Sequence, residues 1–382
     1  MDGDPVGIPG LDVRRAKRYS RIKLAVFLVS LAWSVAQLLW LASGGRSTRL
    51  KQAVAAVSPD RRLAVPGYFA AVTAAAWLAS LPLRFAGGWV VERRFGLTGQ
   101  SPRAWFADQL KGLALSLVIQ PVLLAAAWTV IRRRPRDWWL VLAAVTGPLA
   151  ALFGYLAPLV IMPLFNRYTP LEDEHLAARL RDLAGRAGVA AATPVSVDLS
   201  RQTDKPNAFF AGIGSSKRIA LSDTLLRDFE RDEIEGVIAH ELGHQAHGDI
   251  WRLTGFIAAS GFALSWALSR IAPPLVRRTA PRSGASTIAD EASYPIVALV
   301  LSALGFLLAP IQAAYSRAIE RRTDRFAVEL TGDGPAFARA LARLATASLA
   351  DPDPPRPLVL LLYSHPPVAE RIRAARARGS DR

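Results

Sequence analysis

The sequence predicts a mainly α, integral-membrane protein in which about six transmembrane helices carry one small α+β domain assembled from two segments. Three observations predict it. First, 51% of the residues are hydrophobic although 20% are charged, and the mean hydropathy is positive at +0.22. Soluble chains seldom combine these, so the apolar residues must be gathered into runs. Second, residues 24–43, 112–131, 138–165 and 293–316 contain no Asp, Glu, Lys or Arg at all. Two weaker runs lie at 65–91, interrupted by Arg84, and at 253–269, closed by Arg270. A helix needs roughly 20 apolar residues to cross the hydrocarbon core, and each run is near that length. Third, the two polar segments left over, 166–252 and 317–382, are joined by a hairpin of two spans. Both must emerge on one side of the membrane.

The elements follow in order. Residues 1–165 form an N-terminal membrane region with four spans. Its first span is preceded by Arg14, Arg15, Lys17, Arg18, Arg21 and Lys23, a basic run that marks a retained signal anchor. The first polar segment opens with Thr169-Pro170-Leu171-Glu172, which has the form of a capping box with proline at the first helical position. Leu176, Leu180 and Leu183 continue at helical spacing, and Gly188 is the expected stop. Val195, Val197 and Leu199 alternate as in a strand. Two short strands are expected at 207–212 and 217–221, joined by a turn through Gly212 and Gly214. Asp232 to Gly248 is expected to be helical, with Ile234, Val237, Ile238 and Leu242 buried. Residues 253–316 form the hairpin, in which 277–292, with Pro281 and Gly284, has the composition of a flexible connector. The second polar segment, 317–382, completes the domain.

Charge and cysteine content narrow the chemistry. The net charge of +16 is spread over juxtamembrane loops and the tail at Arg371, Arg373, Arg376 and Arg378. No nucleic-acid motif accompanies it, so anionic lipid headgroups are the expected partner. The chain has no cysteine. That excludes disulfides, thiolate ligands and a cysteine nucleophile, so a metal must be held by His, Asp or Glu.

His240-Glu241-Leu242-Gly243-His244 is a complete H-E-x-x-H sequence on an expected helix. Residues four apart share a helix face, so both imidazoles can reach one ion. Glu241 is turned about 100° from His240 and can take a proton from a zinc-bound water rather than ligate. Ile250 occupies the position where metzincins carry a third histidine, and His247 stands too near His244 to complete a tetrahedral site. The better third ligand is Glu320, with Asp324 four residues on along one helix face to orient an imidazole. His244 lies just before the fifth span and Glu320 just after the sixth, so the hairpin returns them to the same membrane face.

The sequence resembles the integral-membrane gluzincins of the CAAX prenyl protease 1 type, with HtpX heat-shock proteases as more distant relatives. Beyond the motif, the resemblance rests on Glu92-Arg93-Arg94-Phe95-Gly96-Leu97, Ala157-Pro158, and Pro163-Leu164-Phe165 with Tyr168-Thr169-Pro170-Leu171. It continues in Asn207-Ala208-Phe209-Phe210, Asp223-Thr224-Leu225-Leu226, and His365-Pro366-Pro367 with Glu370-Arg371. The resemblance implies a helical membrane barrel around a water-filled chamber, a cytosolic gluzincin-like peptidase domain and one Zn2+ per chain. It also implies that Asn207 holds the substrate backbone and that His365 and Arg371 stabilise an oxyanion. Eukaryotic members have seven spans, and six are found here.

The expected function is a zinc metalloendopeptidase that cuts peptides at the membrane face, acting on membrane or misfolded proteins. An Ala- and Arg-rich, Met-poor chain suggests a bacterial origin and hence a bacterial cytoplasmic membrane, and the resemblance implies that the peptidase domain faces the cytoplasm. CAAX-type processing of lipidated C-terminal peptides is the second enzymatic reading. A non-catalytic scaffold or transporter is the rival of another class, and the nearly charge-free spans weigh against it.

Overall fold

A computed structural model describes residues 7–189, 192–211 and 217–379. The Asp12 carboxylate accepts the Arg15 amide at 2.9 Å and opens α1, Val13–Ala42. A short α2, Arg46–Val57, precedes α3, Arg61–Phe85, which continues through a π-helical turn, Ala86–Val90, into α4, Val91–Arg94. Then come α5, Pro102–Arg133, and α6, Trp138–Leu156, the latter prolonged by a second π turn, Ala157–Ile161. The domain outside these helices begins with β1, Tyr168–Pro170, α7, Glu174–Arg186, β2, Thr193–Val197, β3, Ala208–Ala211, and β4, Arg218–Ser222. It continues with α8, Asp223–Asp228, and α9, Arg231–Ala246. The long hairpin is α10, Asp249–Ser283, and α11, Tyr294–Thr331, followed by α12, Gly334–Ser348, α13, Arg356–Leu362, and α14, Val368–Gly379.

Among the described residues six helices are long and apolar enough to cross a membrane: α1, α3 with its extension, α5, α6 with its extension, α10 and α11. They close a ring. α1 packs on α3, α3 on α5, α5 on α6, α6 on α10, α10 on α11, and α11 on α1. At about 1.5 Å per residue α2 is roughly 18 Å long, too short to be a further span. It lies instead across the end of the ring farthest from α9. There the Gly45 amide donates to the Arg282 carbonyl, Ser47 Oγ to that of Ala292 and Thr48 Oγ1 to that of Ser283. Lys51 pairs with Asp290 at 2.7 Å, and the buried Glu291 pairs with both Arg61 and Arg132. Tyr68, Phe69, Trp128 and Val297 pack beneath this polar layer.

At the other end a four-stranded sheet has the order β1-β2-β4-β3. β2 and β4 are parallel, whereas β1 and β3 pair antiparallel at the two edges. One buried cluster joins residues from both sides of the hairpin: Leu180, Ile219 and Ile238 meet Ala327, Phe337 and Ile372.

Four local expectations change. Residues 168–170 are not a helix start. They pair with Val195–Val197, an edge position that tolerates Pro170. Asp173 caps α7 instead, accepting the Leu176 amide at 2.9 Å. β2 stops at Val197, and Leu199 begins a 3-10 turn. α9 ends at Ala246, because Gly248, at φ +64°, turns the chain into α10. The stretch 277–292 is not a flexible connector. α10 runs through Pro281 to Ser283, Gly284 caps it at φ +78°, and the remainder is tied down by α2 as described. The expected turn at Gly212 and Gly214 lies outside the described residues.

Candidate metal centre

The motif helix α9 is started by a reciprocal box, in which the Glu230 amide donates to Glu233 Oε2 at 3.0 Å. Glu233 is itself buried and paired with Arg343 at 3.1 Å. α9 packs directly on α11, and Gly243 permits the approach. A Cβ at that position would lie 2.8 Å from Thr323 Cγ2 and 3.0 Å from Phe326 Cδ1. This close crossing carries Glu320 to the histidines.

His240 Nε2 stands 3.3 Å from Glu320 Oε2, and His244 Nε2 stands 3.7 Å from Glu320 Oε1. One donor atom from each of the three residues lies within 4.8 Å of the others. Ligands about 2.0–2.2 Å from a tetrahedral centre stand about 3.3–3.6 Å apart, so the spacing suits zinc. Glu320 Oε2 is buried without a hydrogen-bond partner, as a carboxylate kept for an ion requires. Two imidazoles and one carboxylate are a donor set zinc accepts while keeping a fourth position free for water or substrate.

Each imidazole has a carboxylate behind it. His240 Nδ1 lies 2.9 Å from Asp324 Oδ1. Arg371 donates to the same carboxylate twice, from Nε at 2.8 Å and from Nη2 at 2.7 Å. His244 Nδ1 lies 3.0 Å from Asp249 Oδ2, and Arg322 donates to the other Asp249 oxygen. Asp249 is a site residue that the sequence reading missed. Its signal was an acidic residue just past the glycine turn that follows the motif. Arg317 was missed too. It is buried, and its Nη1 donates to the Val359 and Tyr363 carbonyls, both at 2.7 Å, fixing the stretch that delivers His365.

The remaining predicted residues sit as follows. His365 Nε2 is 3.4 Å from Glu320 Oε1, and its Nδ1 is 2.9 Å from Ser364 Oγ. Arg371 Nη2 is 4.0 Å from Glu320 Oε2. Asn207 is exposed at the entrance to the edge strand β3, which packs on α9; its amide donates to Ser222 Oγ at 2.9 Å. His247 stays apart from the cluster, its ring against Phe326 at 5.2 Å. Glu241 has no hydrogen-bond or ion-pair partner among the described residues, and burial raises its carboxyl pKa. Burial works against the His240 imidazolium, but Asp324 and Glu320 outweigh it and bring its pKa up to about 9.

A ring of membrane helices set over a His-Glu-x-x-His helix and a glutamate from a distant helix defines a class of protein, the integral-membrane zinc metallopeptidases. Residues 170–379 match the family model described as Peptidase family M48. Residues 8–167 match that of the CAAX prenyl protease N-terminal region, described as five membrane helices; four candidate spans lie in this range among the described residues. The chain belongs to Peptidase family M48. It is 28% identical to the uncharacterized metalloprotease YhfN of Bacillus subtilis over 94% of this chain and 84% of that one. It is 29% identical to CAAX prenyl protease 1 of Saccharomyces cerevisiae, covering 78% of this chain and 68% of that one. With the CAAX prenyl protease 1 homolog of Arabidopsis thaliana it shares 30% identity over 80% and 72% of the two chains. The crystal structure of S. mikatae Ste24p superposes with a TM-score of 0.87 at 25% identity, covering 98% of this chain and 92% of that one. The chain is thus a zinc-dependent endopeptidase of the membrane, acting on peptide substrates.

Proposed function

We propose that His240, His244 and Glu320 hold one zinc ion, that Glu241 is the general base, and that the enzyme cuts membrane or misfolded proteins at the bilayer surface. The observation that carries the assignment is the convergence of those three donors with Glu241 beside them, which has no hydrogen-bond or ion-pair partner among the described residues. When bound, zinc supplies Lewis-acid chemistry at the site. Glu241, its pKa raised by burial, takes the proton of the attacking water and returns it to the leaving amine. Arg371 spends two N–H groups on Asp324 and keeps others for the oxyanion that forms at the carbonyl carbon. His365 is the second donor. Asn207 and the free edge of β3 take up the substrate backbone as an added strand.

Residues 166–252 and 317–382 are assigned to one peptidase domain, with 1–165 and 253–316 as membrane region and hairpin. This domain is placed in the cytoplasm of a bacterial cell. Tyr19 on α1 packs against Phe95 and Leu349, which puts the basic run from Arg14 to Lys23 at the metal end of the ring. Positive charge flanking a first span favours the cytoplasmic side, but Arg46, Arg49, Lys51, Arg132, Arg133, Arg134 and Arg136 at the opposite end weigh against it, so the side is proposed from the resemblance to the CAAX prenyl protease 1 type.

The test is Glu241→Gln, assayed in detergent on an unstructured reporter peptide. The variant is expected to keep about one zinc per chain and to lose about 10²–10⁴-fold in cleavage rate. A variant that cuts like wild type removes Glu241 from the mechanism. The names of the yeast and Arabidopsis relatives favour a second reading, processing of lipidated C-terminal peptides. Strong competition by a prenylated peptide, and none by its unmodified form, selects that reading.

A further inference from the structure

We propose that Glu92, on α4, is a positioning residue: through Lys205 it sets the place of Asn207 and the free edge of β3, and so how well the substrate strand docks. The proposal rests on the reading of that edge as the seat of the substrate backbone.

The Glu92 side chain is only 12% exposed. Its Oε1 accepts hydrogen bonds from Lys23 Nζ and from the Tyr19 hydroxyl, both at 2.8 Å, and its Oε2 accepts one from Lys205 Nζ, also at 2.8 Å. Lys205 Nζ donates in addition to the Tyr19 oxygen at 2.8 Å. One carboxylate thus gathers two ammonium groups and ties α1, α4 and the loop before β3 at a single point. Tyr19 and Lys23 border a cavity that His365 and Arg371 also border, so this point lies beside the reaction centre.

The chain after Glu92 adds to the tie. Gly96, at φ +67°, reverses it, and the Leu97 amide donates back to the Glu92 carbonyl at 2.9 Å. The Leu97 carbonyl then accepts the Asp204 amide at 3.0 Å and Thr203 Oγ1 at 3.2 Å, and Thr98 Oγ1 donates to the Gln202 carbonyl at 2.7 Å. Those bonds seat residues 202–204. Lys205 adds a contact one residue nearer to β3, and Pro206 follows it. A proline fixes its own φ and holds the residue before it extended, so Lys205-Pro206-Asn207 is a stiff link. A shift of Lys205 therefore passes to Asn207, whose amide is bonded to Ser222 Oγ at the start of the edge strand. Glu92→Gln keeps the shape but leaves two cations on a neutral amide, and their repulsion drives Lys205 off its seat.

The experiment uses the full chain in detergent with zinc and an unstructured reporter peptide. Glu92→Gln is expected to raise KM about three- to tenfold with kcat and zinc content held, the pattern of lost uniform binding. Lys205→Met should raise KM in the same way, and it serves if the first variant does not fold. The double variant should show a KM no higher than Lys205→Met alone, because the repelled cation is gone. Asn207→Ala, measured beside them, tests the docking edge itself. If it raises KM while Glu92→Gln leaves KM unchanged, positioning by Glu92 is overturned and the edge stands. Loss of kcat, zinc and thermal stability together in Glu92→Gln, or additive effects in the double variant, would make Glu92 a support of the fold and also overturn the proposal. An unchanged KM in Asn207→Ala overturns the docking edge, and the role of Glu92 with it.

Discussion

Asp324→Asn removes one negative charge from between His240 and Arg371 with almost no change of shape. Asp324 lies 2.9 Å from His240 Nδ1 and accepts two hydrogen bonds from Arg371, at 2.8 and 2.7 Å. Both partners of the ion pair are largely buried, with the Asp324 and Arg371 side chains 11% and 15% exposed. Leaving a buried cation unpaired costs about 3–5 kcal/mol, and the asparagine oxygen can restore only part of that by accepting one Arg371 bond. The same carboxylate orients the His240 ring, and loss of such support lowers metal affinity about 10–100-fold, equivalent to about 1.4–2.7 kcal/mol. Two assays separate the effects: zinc competition against a chromophoric chelator, and thermal unfolding of the zinc-loaded and chelator-treated protein. Zinc affinity is expected to fall within that range, and the unfolding temperature to fall in both samples. Affinity within about threefold of wild type would show that Asp324 does not position His240 and would refute the reasoning.

Further predictions come from neighbouring contacts. Because the His240 pKa is raised to about 9, the imidazole carries a proton at neutral pH that zinc must displace. Zinc affinity should rise about tenfold per pH unit from about 7 to 9 and flatten above; titration calorimetry in buffers of different ionisation heat should find about one proton released at pH 7.5, and none would sink the idea. Gly243→Ala drives a methyl to 2.8 Å from Thr323 Cγ2, so it should destabilise by about 1–3 kcal/mol and weaken zinc binding. Adding Thr323→Ala should recover part of the loss, and failure to do so would place the strain elsewhere. Arg317→Met leaves the Val359 and Tyr363 carbonyls without their donor. Peptide cleavage should fall while zinc content holds, and parallel loss of zinc would mean that Arg317 supports the ligands rather than the His365 stretch.

Much of this was legible in the sequence because it depends on local pattern. Charge-free runs mark the membrane helices whatever they pack against. The hairpin logic links His244 to Glu320 by topology alone, and the structure brings His240, His244, Glu320, Asp324, His365 and Arg371 together. What escaped depends on distant partners. Thr169-Pro170 has the letters of a helix start, yet Val195–Val197 claims it as a strand. Residues 277–292 have the composition of a loop, but α2, more than 200 residues earlier, holds them. Arg317 bonds to backbone carbonyls, which any sequence supplies and none advertises.

The stitching at the far end of the ring has a mechanical consequence. Glu291, Asp290, Ser47 and their partners fix the base of the α10–α11 hairpin, while Glu320 stands about 40 Å along the helix from Tyr294, at 1.5 Å per residue. The hairpin is therefore a lever pivoted at one membrane face with Glu320, the proposed third zinc ligand, near its tip. A tilt of only about 5° at the pivot displaces that tip by about 3 Å, comparable to the span between two ligand atoms. Membrane helices adjust their tilt to bilayer thickness, and α11 joins the far end of the ring to the metal site within one helix, through Pro310.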